Sequence, residues 1–251
     1  MKIEKTIAPL LLNRKAEAAF VYGSQVAGYA REESDYDVIV ILSRFSQRIK
    51  YYYLKGEVEC SALAVDSRSF ENDCSKSSLG EFVSGRLLNP YDVLWNPGFI
   101  RENEVRYKRR VILEGLDIAH AEAGSFVEEL EIGLGYFLFE KLRRRAVIYP
   151  PVSYSYSRTY GEKLVGMNAS ASLDAFGEAA RQLDSEGALR FLDKENKVKI
   201  KSDRFGRRLG AKLSVRASYT ARGIRQYAVH GYAGRVWPNV VGHEVASKLS
   251  R

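Results

Sequence analysis

The 251-residue chain predicts an α+β fold, and three observations carry that expectation. Strand, helix, strand and strand patterns follow one another in the first 65 residues or so. A mainly helical period then runs from Ser67 to Arg145, and after Pro150-Pro151 a helical stripe leads into two short strands. Hydrophobic period separates the two element types, because helices bury every third or fourth residue and half-buried strands every second.

Taken in order, residues 3–14 space their apolar side chains as a short helix. "AEAAFVY" (16–22) is a strand entering a Gly23-Ser24 turn, and "QVAGYA" fits one or two helical turns. "DYDVIVIL" (35–42) is a strand whose continuous aliphatic half is expected to be buried on both faces. "IKYYYL" and "EVECSALAV" flank Lys55-Gly56 as a hairpin. In the helical stretch, "NPYDVLWNPG" (89–98) reads as a loop and "SFVEELEIGLGYFLFEKLRRR" (125–145) as one long amphipathic segment. Two prolines stop that segment and mark a domain boundary. Beyond it, "SYSYSRTY" (153–160) shows no period and reads as a connection. Leu173, Phe176, Ala180 and Leu183 then form a helical stripe stopped at Gly187, and two strands surround "DKEN". The expected division is 1–100, a helical extension 101–149, and a C-terminal α+β region 150–251 that resembles the last helix and wing of a winged-helix domain.

Composition, with 45% hydrophobic and 28% charged residues, excludes a disordered chain. No run approaches the roughly 18 apolar residues of a membrane span, and "MKIEKTIAPLLLNRK" is too charged for a signal peptide, so a cytoplasmic location without membrane contact is expected. Cys60 and Cys74 form neither a metal-ligand spacing nor a disulfide framework and read as packing residues. His120, His230 and His243 are scattered, without a spaced acid or cysteine. The net charge is +8, yet Lys201–Arg251 alone holds eleven Lys and Arg against Asp203 and Glu244. That imbalance suggests a polyanionic partner, RNA or DNA, on this segment. "RYKRR" (106–110) and "RRR" (143–145) occupy helical positions, where charged runs usually face water, and the tyrosines at 51–53, 154, 156 and 160 read as packing.

The chemistry concentrates in "GSQVAGYAREESDYDVIVIL" (23–42). Asp35 and Asp37 are two apart on a strand, so both carboxylates leave one face about 7 Å apart and can converge on one hard cation. Two like charges on one face repel unless a cation neutralises them. Eleven residues before Asp35, Gly23-Ser24 follows a strand and opens a helix, where backbone N–H groups and a hydroxyl make a phosphate cradle. The stretch lacks the Gly-Lys-Ser/Thr ending of a Walker loop, the GxGxxG fingerprint of dinucleotide binders, and the GxSxG elbow of hydrolases.

A strand, Gly-Ser, about ten residues and a hydrophobic-flanked Asp-x-Asp resemble the DNA polymerase β-like nucleotidyltransferase superfamily, and the match looks most like its minimal branch. The resemblance covers about residues 15–66. It implies a nucleotidyltransferase-type mixed β-sheet with helices, and transfer of a nucleoside monophosphate from an NTP, ATP first among them, to an acceptor hydroxyl. By position, Gly23 and Ser24 would hold the β- and γ-phosphates, with Gly28 and Ser34 completing the nucleotide motif, while Asp35 and Asp37 would bind two Mg²⁺ ions. The third acid of the family would be Glu59, with Glu57 and Asp66 as alternatives on the same strand. The resemblance leaves open a nucleic-acid-binding regulator built on an NTP sensor or inactive scaffold, and an aminoglycoside-type transferase.

Overall fold

The computed structural model describes residues 2–11, 14–123 and 130–200. Its centre is a five-stranded mixed sheet of order β3-β4-β2-β1-β5. The strands are β1 (Ala16–Tyr22), β2 (Tyr36–Leu42), β3 (Ile49–Lys55), β4 (Glu59–Asp66) and β5 (Asp92–Trp95). β2 and β4 run parallel, and every other pair in this sheet is antiparallel. The hairpin at Lys55-Gly56 forms as the sequence predicts, and it returns the chain so that β4 enters the sheet beside β2.

β2 is the central strand, which explains its uninterrupted aliphatic run. Val38, Val40 and Leu42 face helix α1 (Lys2–Leu11) through Ile3, Ile7 and Leu10, while Ile39 and Ile41 face the opposite, larger core. That core is continuous from Ala18 to Ile200, and it gathers α3 (Ser67–Lys76), α4 (Pro97–Ala123), α5 (Leu134–Ile148), α6 (Val152–Thr159) and α7 (Val165–Ser185) onto one face of the sheet. A second, antiparallel sheet has the order β6-β8-β7, from β6 (Glu131–Gly133), β7 (Leu189–Leu192) and β8 (Lys197–Ile200). The fold is therefore α+β with a mixed sheet. No helix among the described residues is long and apolar enough to cross a membrane.

Four local expectations are corrected. The stretch 89–98 is not all loop: residues 92–95 form edge strand β5, too short to show a period and hidden between two Asn-Pro steps. The segment 125–145 is not one helix, because extended Gly133 caps α5 directly after β6. The tyrosine- and serine-rich 153–160 is mostly helix α6, which buries Val152, Tyr156 and Thr159 and takes its order from packing. The basic runs are solvated only in part, with Arg143 exposed and most of the others paired in the interior. Lys108, fully buried, bonds Glu104 at 2.6 Å and the Ser172 carbonyl at 2.5 Å. Arg109 reaches Glu186, while Arg110 and Lys141 both bond Glu81 and Glu114. Arg145 donates to Tyr156 Oη and to the Glu81 carbonyl. The predicted helical stripe and hairpin, in contrast, stand as α7 and β7-β8, with Gly187 at φ 73° beyond the helix end.

The segment Lys201–Arg251, with its basic excess, lies outside the described residues.

Candidate active site

At one end of the sheet β1 finishes and β2 and β4 begin, so three strand termini meet there. The register sets Tyr53, Ser61, Asp37 and Tyr22 side by side across β3, β4, β2 and β1. Residues paired in this way share a face, the one that carries the helices. Asp35 and Asp37 are half-buried here, on that common face, as their spacing predicts.

Asp37 is lodged against the Gly23 turn. A Cβ placed on Gly23 would stand 2.3 Å from Asp37 Oδ2 and 3.2 Å from Asp37 Cβ. Gly23 also has φ 85° and ψ −157°, a conformation essentially confined to glycine. The turn opens the single helical turn α2 (Ser24–Ala27), whose first N–H groups have no acceptor within a helix. Gly28 ends α2 in the left-handed region at φ 82°, with Leu164 and Met167 packed alongside, so its place is conformational. Ser34 closes the following loop: its hydroxyl accepts from Arg31 N–H and its carbonyl from Gln25 Nε2 at 2.7 Å. That bracing sets the spacing between the Gly23 turn and Asp35.

The third acid does not assemble in the same way. Glu59 is exposed, accepts a hydrogen bond from Tyr53 Oη and pairs with Lys55 at 3.2 Å. The Glu59 bond pushes the Tyr53 phenol up to about 12, and the same bond holds the Glu59 carboxyl below its ordinary range. Glu57 is also exposed and pairs with Lys5. Asp66 lies opposite Leu42, five residue pairs beyond the Asp37–Ser61 step, or roughly 17 Å at strand rise. There it caps α3 and accepts from Phe45 N–H. The residue opposite Asp37 is Ser61, whose hydroxyl donates to Asp35 Oδ2. Among the described residues no group of three His, Cys, Asp or Glu side chains is placed to hold one metal ion. The two aspartates and the Ser61 hydroxyl are all hard oxygen donors, a set that suits Mg²⁺ with water completing its shell.

The helices close over this end of the sheet. Asn168 on α7 donates to the Ala27 carbonyl at 3.1 Å and to the Thr159 carbonyl at 2.7 Å, tying α2 to α6 and α7. Tyr29 Oη meets Ser155 Oγ at 3.3 Å, and the Arg158 guanidinium covers the Tyr29 ring. Both cysteines are buried and unpaired as thiols, and burial, with help from Asp35, pushes Cys60 up to about 11. Sequence reading missed the Asn168 and Ser61 contacts, because each depends on register or packing between distant segments.

A mixed sheet carrying Gly-Ser at the end of one strand and Asp-x-Asp at the start of its neighbour defines a nucleotidyltransferase-type domain. Residues 4–85 match the family described as Polymerase beta, Nucleotidyltransferase. This part of the chain is thus a nucleotidyltransferase domain of the DNA polymerase β-like superfamily. No curated protein matches the chain.

Proposed function

We propose that the protein transfers a nucleoside monophosphate from an NTP, with ATP the first candidate, to an acceptor hydroxyl. The new bond joins the acceptor oxygen to Pα while the Pα–O–Pβ bond breaks, pyrophosphate leaves, and the acceptor proton passes to a carboxylate or water. One observation carries the reading: the Asp37 carboxylate touches the Gly23 turn, so phosphate cradle and acid pair form one contiguous site. Asp35 and Asp37 would hold Mg²⁺, with Ser61 orienting Asp35. When bound, such an ion neutralises charge on the attacking and leaving oxygens. Gly23 and Ser24 would take the phosphates, and Ser34 and Gly28 would keep the loop in shape.

A second reading has its own support. Ser61 stands where a further carboxylate would complete the acid set, and Glu59 is held outward by Tyr53 and Lys55. On that reading the domain binds NTP as a sensor or scaffold without turnover. The basic excess of Lys201–Arg251 favours a nucleic acid or protein acceptor over an aminoglycoside-type small molecule, and the strand order β6-β8-β7 after α4 supports a winged-helix-like C-terminal region.

The test incubates the full chain with each α-labelled NTP, Mg²⁺ and total RNA or protein. Label transfer by the wild type, absent in Asp35→Asn and Asp37→Asn, is the outcome expected of an enzyme. Mg²⁺-dependent ATP binding with no transfer to any acceptor is the outcome expected of a sensor.

A further inference from the structure

Arg86 lies one residue beyond the matched family segment, on the 3-10 turn Ser84–Leu88. Its guanidinium sits over the rings of Tyr22, at 5.3 Å, and Phe82, at 5.8 Å. Among the described residues no carboxylate pairs with it, and its buried Nε has no hydrogen-bond acceptor. The side chain is half-buried, and a partly enclosed cation without an anion lacks the compensation that enclosed charges need. The other enclosed cations of this fold, Lys108, Arg110, Lys141 and Arg145, all have glutamate partners. Arg86 is the exception among them, and it is the one beside the candidate active site.

Its surroundings are hydrogen-bonding groups. Tyr22 immediately precedes Gly23, and its phenol and that of Tyr51, on β3, raise and lower one another's proton affinity, so the two act as neighbours. Tyr22 pairs with Asp37 across β1 and β2 while its ring lies under Arg86, so this phenol adjoins both the guanidinium and the acid pair. Tyr149, at the end of α5, adds a third phenol within the field of Arg86.

The turn that carries Arg86 is rigid. Buried Asp73 accepts backbone N–H bonds from Leu79, Glu81, Val83 and Ser84, at 2.8, 3.0, 3.3 and 2.9 Å. On the other side the Arg145 guanidinium lies on Gly85, where a Cβ would come within 2.1 Å of its Cζ. A fixed, unpaired guanidinium behind a phosphate turn is a preorganised anion receptor.

Building on the nucleotidyltransferase reading, we propose that Arg86, with the hydroxyls of Tyr22 and Tyr51, receives an oxyanion of the triphosphate bound at Gly23-Ser24, and retains it on the pyrophosphate product. The turn then contributes backbone donors and Arg86 contributes the permanent charge. Binding would also relieve the uncompensated cation, so the anion should stabilise the folded chain.

The test titrates magnesium pyrophosphate into the full chain by calorimetry and follows thermal melting with and without it. The wild type should bind, and Arg86→Gln should weaken binding about ten- to hundredfold, the worth of one charge-assisted hydrogen bond. The melting gain from pyrophosphate should vanish in the same variant, while its melting point without the anion stays at or above wild type. If Arg86→Gln does not fold, Arg86→Lys decides, since it keeps charge and bulk but loses the fork and should lose several-fold in affinity at unchanged stability. Equal affinity in wild type and variant, or a variant that melts lower by the same amount with and without pyrophosphate, overturns the proposal by making Arg86 structural. Failure of the wild type to bind pyrophosphate overturns it too. The nucleotide reading is judged separately, from Mg-ATP titration of wild type against Asp37→Asn.

Discussion

Replacing Gly23 by alanine tests whether the turn and the acid pair are one mechanical unit. Alanine at φ 85° and ψ −157° pays about 1–3 kcal/mol in backbone strain. A separate cost comes from space, since the new Cβ would lie 2.3 Å from Asp37 Oδ2 and 3.1 Å from its Cγ. Rotating the carboxylate about 30° off its rotamer costs about 0.5–1.5 kcal/mol. The total of about 2–4 kcal/mol should lower Tm by about 5–15 °C for a chain of this size. In an Asp37→Ala background Oδ2 and Cγ are gone and only a Cβ at 3.2 Å remains. There Gly23→Ala should cost the strain alone, leaving a coupling of about 1 kcal/mol in the double-mutant cycle. Urea denaturation of the four proteins measures it, with Mg-ATP titration of the single variants alongside. Effects that add to within about 0.3 kcal/mol would refute the contact and with it the contiguous site.

Two further outcomes follow from charge. Burial raises the Glu81 carboxyl, but Lys141, Arg110 and Arg145 outweigh burial and hold it well below the carboxylate range. Its contribution is therefore complete above the unfolded value near 4.3 and drains away as pH falls below it toward the folded value. Glu81→Gln should cost about 3–5 kcal/mol at pH 7 by stranding the cations and should flatten the acid limb of a urea-midpoint profile between pH 5 and 3, whereas an unchanged limb would remove Glu81 from the acid transition. For Lys201–Arg251, RNA affinity should fall with salt at a slope near −3 for about four phosphate contacts, and alanine at Arg207, Arg208, Arg216 and Arg222 should flatten it. A flat wild-type series in filter binding would end the nucleic-acid reading.

Sequence alone determined the parts of this protein that depend on neighbours in the chain. Gly23, Asp35 and Asp37 are joined by one short loop, so a strand, a turn and a second strand bring them together whatever the rest of the chain does. The burial of Val38 to Leu42, the β3-β4 hairpin and the α7 stripe were legible for the same reason, since each is a local period. Tertiary structure alone decided the rest. Which residue faces Asp37 on β4 is a matter of register between strands over twenty residues apart, and register chose Ser61, while Glu59, two residues earlier on the same face, lies exposed at the strand start and bonds Tyr53 and Lys55. The basic runs at 106–110 and 143–145 looked solvated because some of their glutamate partners lie on other elements, Glu81 before α4 and Glu186 after α7. Arg86 is distinguished only by a partner it lacks, and that property exists only once the chain is folded around it. Charges interact through space rather than along the chain, so their pairing is decided by packing.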